Sequence, residues 1–128
     1  IDLMKRVRSP YSVNALAVYV AERMLPKSQE VLAAAQEAMQ RKQRLIDAFE
    51  QRGYQVHDGA ANFFLIHIGV DAKRFAAFCQ SQGVLIRDRS DMPKMLGMVR
   101  VSVGTDQENQ ALIDCLDAFR ERHGLIFD

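Results

Sequence analysis

Hydrophobic residues recur at helical spacing through the first part of the chain. They predict one helix over residues 13–24 and a second over residues 28–52, which Gly53 ends. Charged side chains occupy the opposite face of the second helix, which is typical of a helix that packs on one side only. The apolar face of this helix consists of Val31, Leu32, Ala35, Met39, Leu45, Ile46 and Phe49.

After Gly53 the pattern changes to short runs with β propensity. Strands are predicted over residues 54–56 and 62–68, and the Asp58-Gly59 turn between them favours antiparallel pairing. Two further strands are predicted over residues 84–87 and 98–103, with an irregular loop between them.

Two more helices lie among these strands. Residues 71–82 have helical periodicity and end at Gly83, while Thr105 and Glu108 have the spacing of a capping box that begins a last helix. The order of elements predicts an α+β fold, because the helices and the strands are not strictly alternating. We expect a two-layer sandwich in which a small mixed or antiparallel sheet carries helices on one face.

The composition changes this picture little. The 128 residues are 48% hydrophobic and 26% charged, with a net charge of +1. This balance gives no electrostatic attraction to nucleic acid, and no apolar run is long enough for a membrane span, so neither is an expected partner. We predict a cytoplasmic protein in which Cys79 and Cys115 are reduced core residues. The three histidines are scattered, so no metal site is predicted.

Two arginines in β-type runs are the candidate functional residues. Arg87 ends the run Gly83-Val84-Leu85-Ile86, and Arg100 lies between Val99 and Val101. A guanidinium is permanently charged and has a fork of donors that fits a carboxylate or a phosphate. Burying it beside a strand is costly without an anion. The anion is either a ligand or an internal carboxylate, for which Asp88 and Asp106 are the candidates.

Four segments, in order, extend together through most of the chain. They are Ser9-Pro10-Tyr11-Ser12-Val13-Asn14, Ala60-Ala61-Asn62-Phe63-Phe64-Leu65, Gly83-Val84-Leu85-Ile86-Arg87-Asp88 and Val99-Arg100-Val101-Ser102-Val103-Gly104-Thr105. In this order they resemble the pyridoxal-phosphate-dependent aminotransferases of the aspartate aminotransferase fold, and within them the carboxyl-terminal third of the histidinol-phosphate aminotransferase branch.

The resemblance implies a division of the chain and roles for named residues. Residues 28–128 would form the small, substrate-binding domain, and residues 1–27 would be a connecting segment and helix from the large domain. Arg100 would bind the α-carboxylate of the amino-acid donor, and Arg87 the phosphate of the substrate. Asn62, Tyr11 and Asn14 would lie near the site.

The resemblance also implies what this chain lacks. The family's cofactor lysine, which forms a Schiff base with pyridoxal 5'-phosphate, has no counterpart among the lysines here, so no catalytic residue is predicted in this chain. Because the chain begins at Ile1 without a methionine, we expect it to be part of a longer polypeptide that contains the large domain. Alone it would be inactive; the complete enzyme would be a homodimer that acts on a phosphorylated amino substrate and a 2-oxo acid.

Three other functions stay open at this point. A related enzyme of the same family, an aromatic aminotransferase or a threonine-phosphate decarboxylase, would have much the same small domain. A stand-alone module that binds small molecules, or a pure interaction domain, would need no cofactor-binding partner domain.

Overall fold

The computed structural model describes residues 13–124 and has the predicted α+β fold. The chain divides into two units, residues 1–35 and 36–128. In the first unit, helix α1 (Ala15–Met24) begins at Asn14, whose side chain accepts a hydrogen bond from the backbone N–H of Ala17 at 2.8 Å. A 3-10 turn, Leu25–Lys27, follows. The assignment of residues 1–27 to a neighbouring large domain stays a prediction.

Helix α2 (Ser28–Glu50) is the long helix that the sequence predicts. It ends at a turn in which Gly53 has a φ of +86°, a backbone conformation that glycine adopts without strain. The predicted apolar face is buried only near this end, at Leu45, Ile46 and Phe49. The apolar residues of its first half are exposed, namely Val31, Leu32 and Met39.

Four antiparallel strands form one sheet in the order β1-β2-β4-β3. The strands are β1 (Gln55–His57), β2 (Phe63–His67), β3 (Arg87–Asp88) and β4 (Met98–Ser102). The predicted hairpin between β1 and β2 is confirmed, and the sheet is purely antiparallel rather than mixed. Its central strands, β2 and β4, are far apart in the sequence.

The strand predicted over residues 84–87 is wrong for most of its length. Strand β3 contains only Arg87 and Asp88, and residues 84–86 make no ladder. Helix α3 (Ala72–Ser81) ends just before them, and the N–H of Val84 still bonds to the carbonyl of Cys79 at 2.9 Å. Residues 84–86 therefore lead away from the helix before pairing with β4 can begin.

The hydrophobic core lies on one face of the sheet, between the strands and the helices. Phe64 and Ile66 of β2 and Val99 and Val101 of β4 are at most 1% exposed. Aromatic contacts join the layers: Phe49 of α2 packs edge-on against Phe64, with ring centroids 5.9 Å apart. Cys79 and Cys115 are both buried, as predicted for core residues.

Helix α4 (Asp106–His123) completes the helical layer, and its start is the predicted capping box. The hydroxyl of Thr105 accepts a hydrogen bond from the N–H of Glu108, and the Glu108 carboxylate accepts one from the N–H of Thr105. Phe119 of α4 packs against Phe75 of α3 with ring centroids 5.3 Å apart. The helices thus cover one face of the sheet, and the strands present their alternate side chains on the other.

Candidate functional site

Arg100 and Arg87 lie directly opposite each other on neighbouring strands. They are paired residues in the β4–β3 register, so their side chains project from the same face of the sheet, the face opposite the core. On the other side of Arg100, Leu65 and then His57 are the next paired residues. We call these four residues, Arg87, Arg100, Leu65 and His57, the arginine row. Cross-strand residues have Cα atoms about 5 Å apart, so the two arginine side chains start close together on this face.

Arg100 is partly buried and incompletely satisfied. Its Nε is shielded from solvent and has no hydrogen-bond partner within residues 13–124. The guanidinium carbon lies 5.2 Å from the ring centroid of Phe63, which is a cation–π contact. An aromatic face stabilises the cation but accepts no conventional hydrogen bond, so the donors of Arg100 are left for another group.

Neither internal carboxylate considered from the sequence pairs with Arg100. Asp88 accepts hydrogen bonds from the N–H and the hydroxyl of Ser90, at 2.9 and 2.6 Å. These bonds lower the pKa of Asp88. Asp106 pairs with Arg44 at 3.0 Å. In the described part of the chain, no carboxylate lies within ion-pair distance of Arg100 or Arg87.

Two like charges placed opposite each other on adjacent strands destabilise a sheet unless an anion lies between or above them. Here both charges are arginines, and one of them has a buried donor without a partner. Within residues 13–124 these two charges therefore have no internal anion as a partner. A carboxylate or phosphate could accept bidentate, charge-assisted hydrogen bonds from the two forks.

The other predicted site residues have different outcomes. Asn62 is exposed and extends the β2–β4 ladder, since its carbonyl accepts a hydrogen bond from the N–H of Val103 at 2.9 Å. It directly precedes Phe63 and is thus next to the arginine row. Asn14 is the cap of helix α1 in the first unit. Tyr11 lies outside the described residues.

Two residues are not identified from the sequence, one in contact with Arg100 and one in the buried part of α2. Phe63 belongs to an apolar run, and its alternation with the buried Phe64 puts it on the same face as Arg100. Lys42 is 1% exposed. Its spacing from Leu45 and Phe49 is helical, so a lysine within the apolar stripe is the available sequence signal.

Two of the four lysines within residues 13–124 are engaged in ion pairs. Lys42 is held by Asp58 at 2.6 Å and by two backbone carbonyls, and Lys27 pairs with Glu30 at 3.9 Å. Lys73 and Lys94 are exposed and belong to α3 and a loop, not to the strands of the arginine row. Lys5 lies outside the described residues. A Schiff base to a cofactor aldehyde would need an amine beside the site, and of the described lysines Lys73 lines a surface pocket together with Arg87 and Asp88.

Other kinds of site find little support in the described region. No group of three or more histidine, cysteine or acidic side chains within residues 13–124 is arranged to hold a metal ion. No helix there combines the length and apolarity that a membrane crossing requires.

Comparison with known proteins assigns the fold. The family described as aminotransferase class I and II matches residues 1–116. This chain belongs to that family. Members of the family are enzymes that generally depend on pyridoxal phosphate, and the fold described above is that of a chain of this family.

Individual relatives agree with this assignment. Histidinol-phosphate aminotransferases of Salmonella typhi and Salmonella typhimurium are each 30% identical over 122 residues, which is 92% of this chain and 34% of those proteins. The chain thus spans about a third of the length of these curated relatives.

Solved structures show the same architecture. A protein of Burkholderia pseudomallei assigned as an aminotransferase superposes with a TM-score of 0.73 at 24% identity, over 92% of this chain and 36% of that chain. L-threonine-O-3-phosphate decarboxylase of Porphyromonas gingivalis superposes with a TM-score of 0.70 at 27% identity, over 94% of this chain and 39% of that one.

Proposed function

We propose that this chain is the substrate-binding small domain of a pyridoxal-phosphate-dependent aminotransferase whose substrate is histidinol phosphate. In the proposed reaction, histidinol phosphate and 2-oxoglutarate give imidazole acetol phosphate and glutamate. The observation that carries the proposal is the pairing of Arg100 with Arg87 on one face of the sheet, without an internal anion among the described residues.

Two opposed arginines suit a reaction whose two halves present different anions. We propose that Arg100 binds the α-carboxylate of glutamate or 2-oxoglutarate, because its fork stands on the rigid central strand β4. Arg87, on the edge strand β3, would bind the phosphate of histidinol phosphate. Since the two side chains are neighbours, one site would accommodate both substrates in turn.

In this proposal the cofactor and its lysine belong to a large domain of the same polypeptide. Pyridoxal phosphate, when bound, supplies the electron sink for transamination. The chain's own contribution is to bind the substrate anions and hold them in place. It would therefore be inactive alone, and we propose that the complete enzyme is a homodimer.

The first unit supports a neighbouring large domain. None of the residues in helix α1 is buried. Four of its large hydrophobic side chains are 46–71% exposed, namely Leu16, Val18, Tyr19 and Val20. A helix with so much exposed apolar surface is stabilised by whatever covers it. A large domain that packs on residues 13–27 would provide that cover.

The test is kinetics of the complete enzyme with Arg100→Ala. We expect a loss of about 2–4 kcal/mol in transition-state stabilisation with glutamate, because the substrate carboxylate loses its charged partner. Steady-state kcat/KM with glutamate as amino donor measures it. The proposed role of Arg100 is refuted if the variant uses glutamate as well as the unaltered enzyme does.

Arg87→Ala is the companion variant and should be selective. It should lower kcat/KM for histidinol phosphate much more than for histidinol, since only the first has a phosphate to lose. Equal losses on both substrates would contradict phosphate binding by Arg87.

A second candidate is a decarboxylase of threonine phosphate, which the superposition on the Porphyromonas gingivalis enzyme favours. Its substrate also has a carboxylate and a phosphate, so the arginine row would serve equally well. Assays of the complete enzyme separate the two. Carbon dioxide release from threonine phosphate supports the decarboxylase, and amino transfer from histidinol phosphate to 2-oxoglutarate supports the aminotransferase.

A further inference from the structure

Lys42 is the only charged residue in the buried set of the described chain, and all three of its ammonium donors are engaged. Its Nζ lies 2.6 Å from a carboxylate oxygen of Asp58, 2.5 Å from the carbonyl oxygen of Gly59 and 2.8 Å from that of Ala61. The three oxygens belong to one segment, the turn between β1 and β2. We call residues 58–61 the hairpin turn.

The hairpin turn has little else to hold it. The last ladder pair before it is His57 with Leu65, and the turn residues are exposed or partly exposed. A Cβ built on Gly59 would meet nothing within 4 Å, so the space on that side of the turn is open. In the described structure, Lys42 is the link that ties the turn to helix α2.

The turn leads directly to the arginine row. Ala61 is followed by Asn62 and then by Phe63, whose ring lies 5.2 Å from the guanidinium carbon of Arg100. Phe63 pairs with Ser102 at the end of the β2–β4 ladder, next to the hydrogen bond from Val103 to Asn62, so both the ladder and the adjoining turn set its placement. We therefore expect a shift of the hairpin turn to move the Phe63 ring relative to the guanidinium of Arg100.

A buried ammonium is an unusual way to stabilise a turn. Taking the charge out of water is costly, and well-packed apolar residues often give equal or greater stability than a buried ion pair. What an apolar residue would not give is a fixed position for three oxygens at once. This lysine therefore adds geometric specificity as well as stability.

We propose that Lys42 is a positioning residue for Arg100, acting through the hairpin turn and Phe63. It touches neither substrate nor cofactor. By fixing the start of β2 it keeps the Phe63 ring over the guanidinium, and so it sets the direction in which the Arg100 fork faces its anion. The functional consequence rests on the proposed role of Arg100 in binding the substrate carboxylate.

The experiment compares Lys42→Met and Lys42→Arg with a matched control, Arg52→Met. Arg52 is also a cation near the end of α2 and forms a bidentate ion pair with Asp117 of α4, at 2.8 Å on both oxygens. It does not contact the hairpin turn. Loss of either cation should lower stability, so stability alone does not distinguish the two roles.

The kinetic readout is the split between KM and kcat in the complete enzyme. For Lys42→Met we expect the KM for glutamate to rise about tenfold with kcat changed less than about twofold, the size of effect expected of a residue that acts at a distance. Lys42→Arg should restore most of the KM, since it keeps a charged donor. Arg52→Met should leave the KM unchanged.

The second readout needs no activity. The ¹⁵N–¹H resonance of the Arg100 side-chain Nε, which is buried and senses the Phe63 ring, should shift in Lys42→Met and stay in place in Arg52→Met. If Lys42→Met fails to fold, Asp58→Asn replaces it, because Asp58 is partly exposed and its loss leaves the two carbonyl contacts. We expect a smaller shift of the same resonance.

The outcomes separate the two proposals. An Arg100 resonance that is unmoved in the Lys42 and Asp58 variants, or a KM that rises no more than in Arg52→Met, overturns the positioning role. A shifted resonance together with normal use of glutamate by Arg100→Ala would instead refute the proposed function, while the link between Lys42 and Arg100 would stand.

Discussion

The reactivity of a side chain depends on its immediate surroundings, and the two cysteines of this protein are an example. Cys79 of α3 is fully buried, and Cys115 of α4 is 7% exposed. Burial raises the pKa of the Cys79 thiol to about 12 and also raises that of Cys115. Reactive cysteines have lowered pKa values and access to solvent, so both thiols are expected to be inert.

We predict that native protein resists alkylation at both positions. Iodoacetamide at pH 8 should modify neither cysteine within the time that modifies a free thiol, because the thiolate is the reacting form and it is scarce here. In urea both should react. Mass spectrometry counts the adducts, and rapid modification of Cys79 in the native protein would contradict the burial.

Turns decide how the elements of the sheet meet, and Gly97 is the clearest example. It has a φ of +75°, and its carbonyl accepts a hydrogen bond from the N–H of Ile68 at 2.8 Å just before β4 begins. A Cβ at this position would lie 2.9 Å from His67 Nε2 and 3.0 Å from the backbone of Gly69. Both the backbone conformation and the space require glycine.

Gly97→Ala should therefore destabilise the protein by at least about 1–2 kcal/mol, the cost of the left-handed backbone for a residue with a Cβ. The contact with Gly69 adds to this, since backbone cannot easily move aside. Gly59→Ala is the control, because a Cβ there meets nothing and its φ is not positive. Urea unfolding measures both; equal stabilities of the two variants would refute the argument.

At the scale of the whole molecule, ion pairs tie distant parts of the chain together. Lys42 of α2 binds Asp58, and Arg52, in the turn after α2, binds Asp117 of α4. The side-chain hydrogen bond from each cation is the main cause that lowers the pKa of its aspartate partner. Because the folded pKa lies below the ordinary value of about 3.9, each pair stabilises the fold above that pH.

Stability should consequently fall as the pH drops through the folded pKa values of these aspartates, below about pH 4. Asp117→Asn should lower the free energy of unfolding at pH 7 and also make its decline in acid shallower. Urea unfolding between pH 7 and pH 3 tests this. Glu121→Gln, an exposed change in the same helix, should leave the slope as it is. An unchanged slope in Asp117→Asn would contradict the linkage.

Local signals in the sequence determined the helices and the start of α4. The Thr105 capping box and the end of α2 at Gly53 depend on residues three or four positions apart, so both can be predicted from the sequence alone. The resemblance also predicted the correct family, because the order of motifs along a chain can be read directly from its sequence. The strand over residues 84–87 was wrong because pairing with β4, not propensity, decides where β3 begins.

Only the tertiary structure decided what the arginines face. Strand register puts Arg87 opposite Arg100 and lays the Phe63 ring on the Arg100 guanidinium. An ion pair between two helices joins Asp106 of α4 to Arg44 of α2. The same holds for Lys42, whose three acceptors lie 16–19 positions further along the chain. The physical reason is that local propensity fixes the backbone of an element, whereas the partner of a charge depends on which elements pack together.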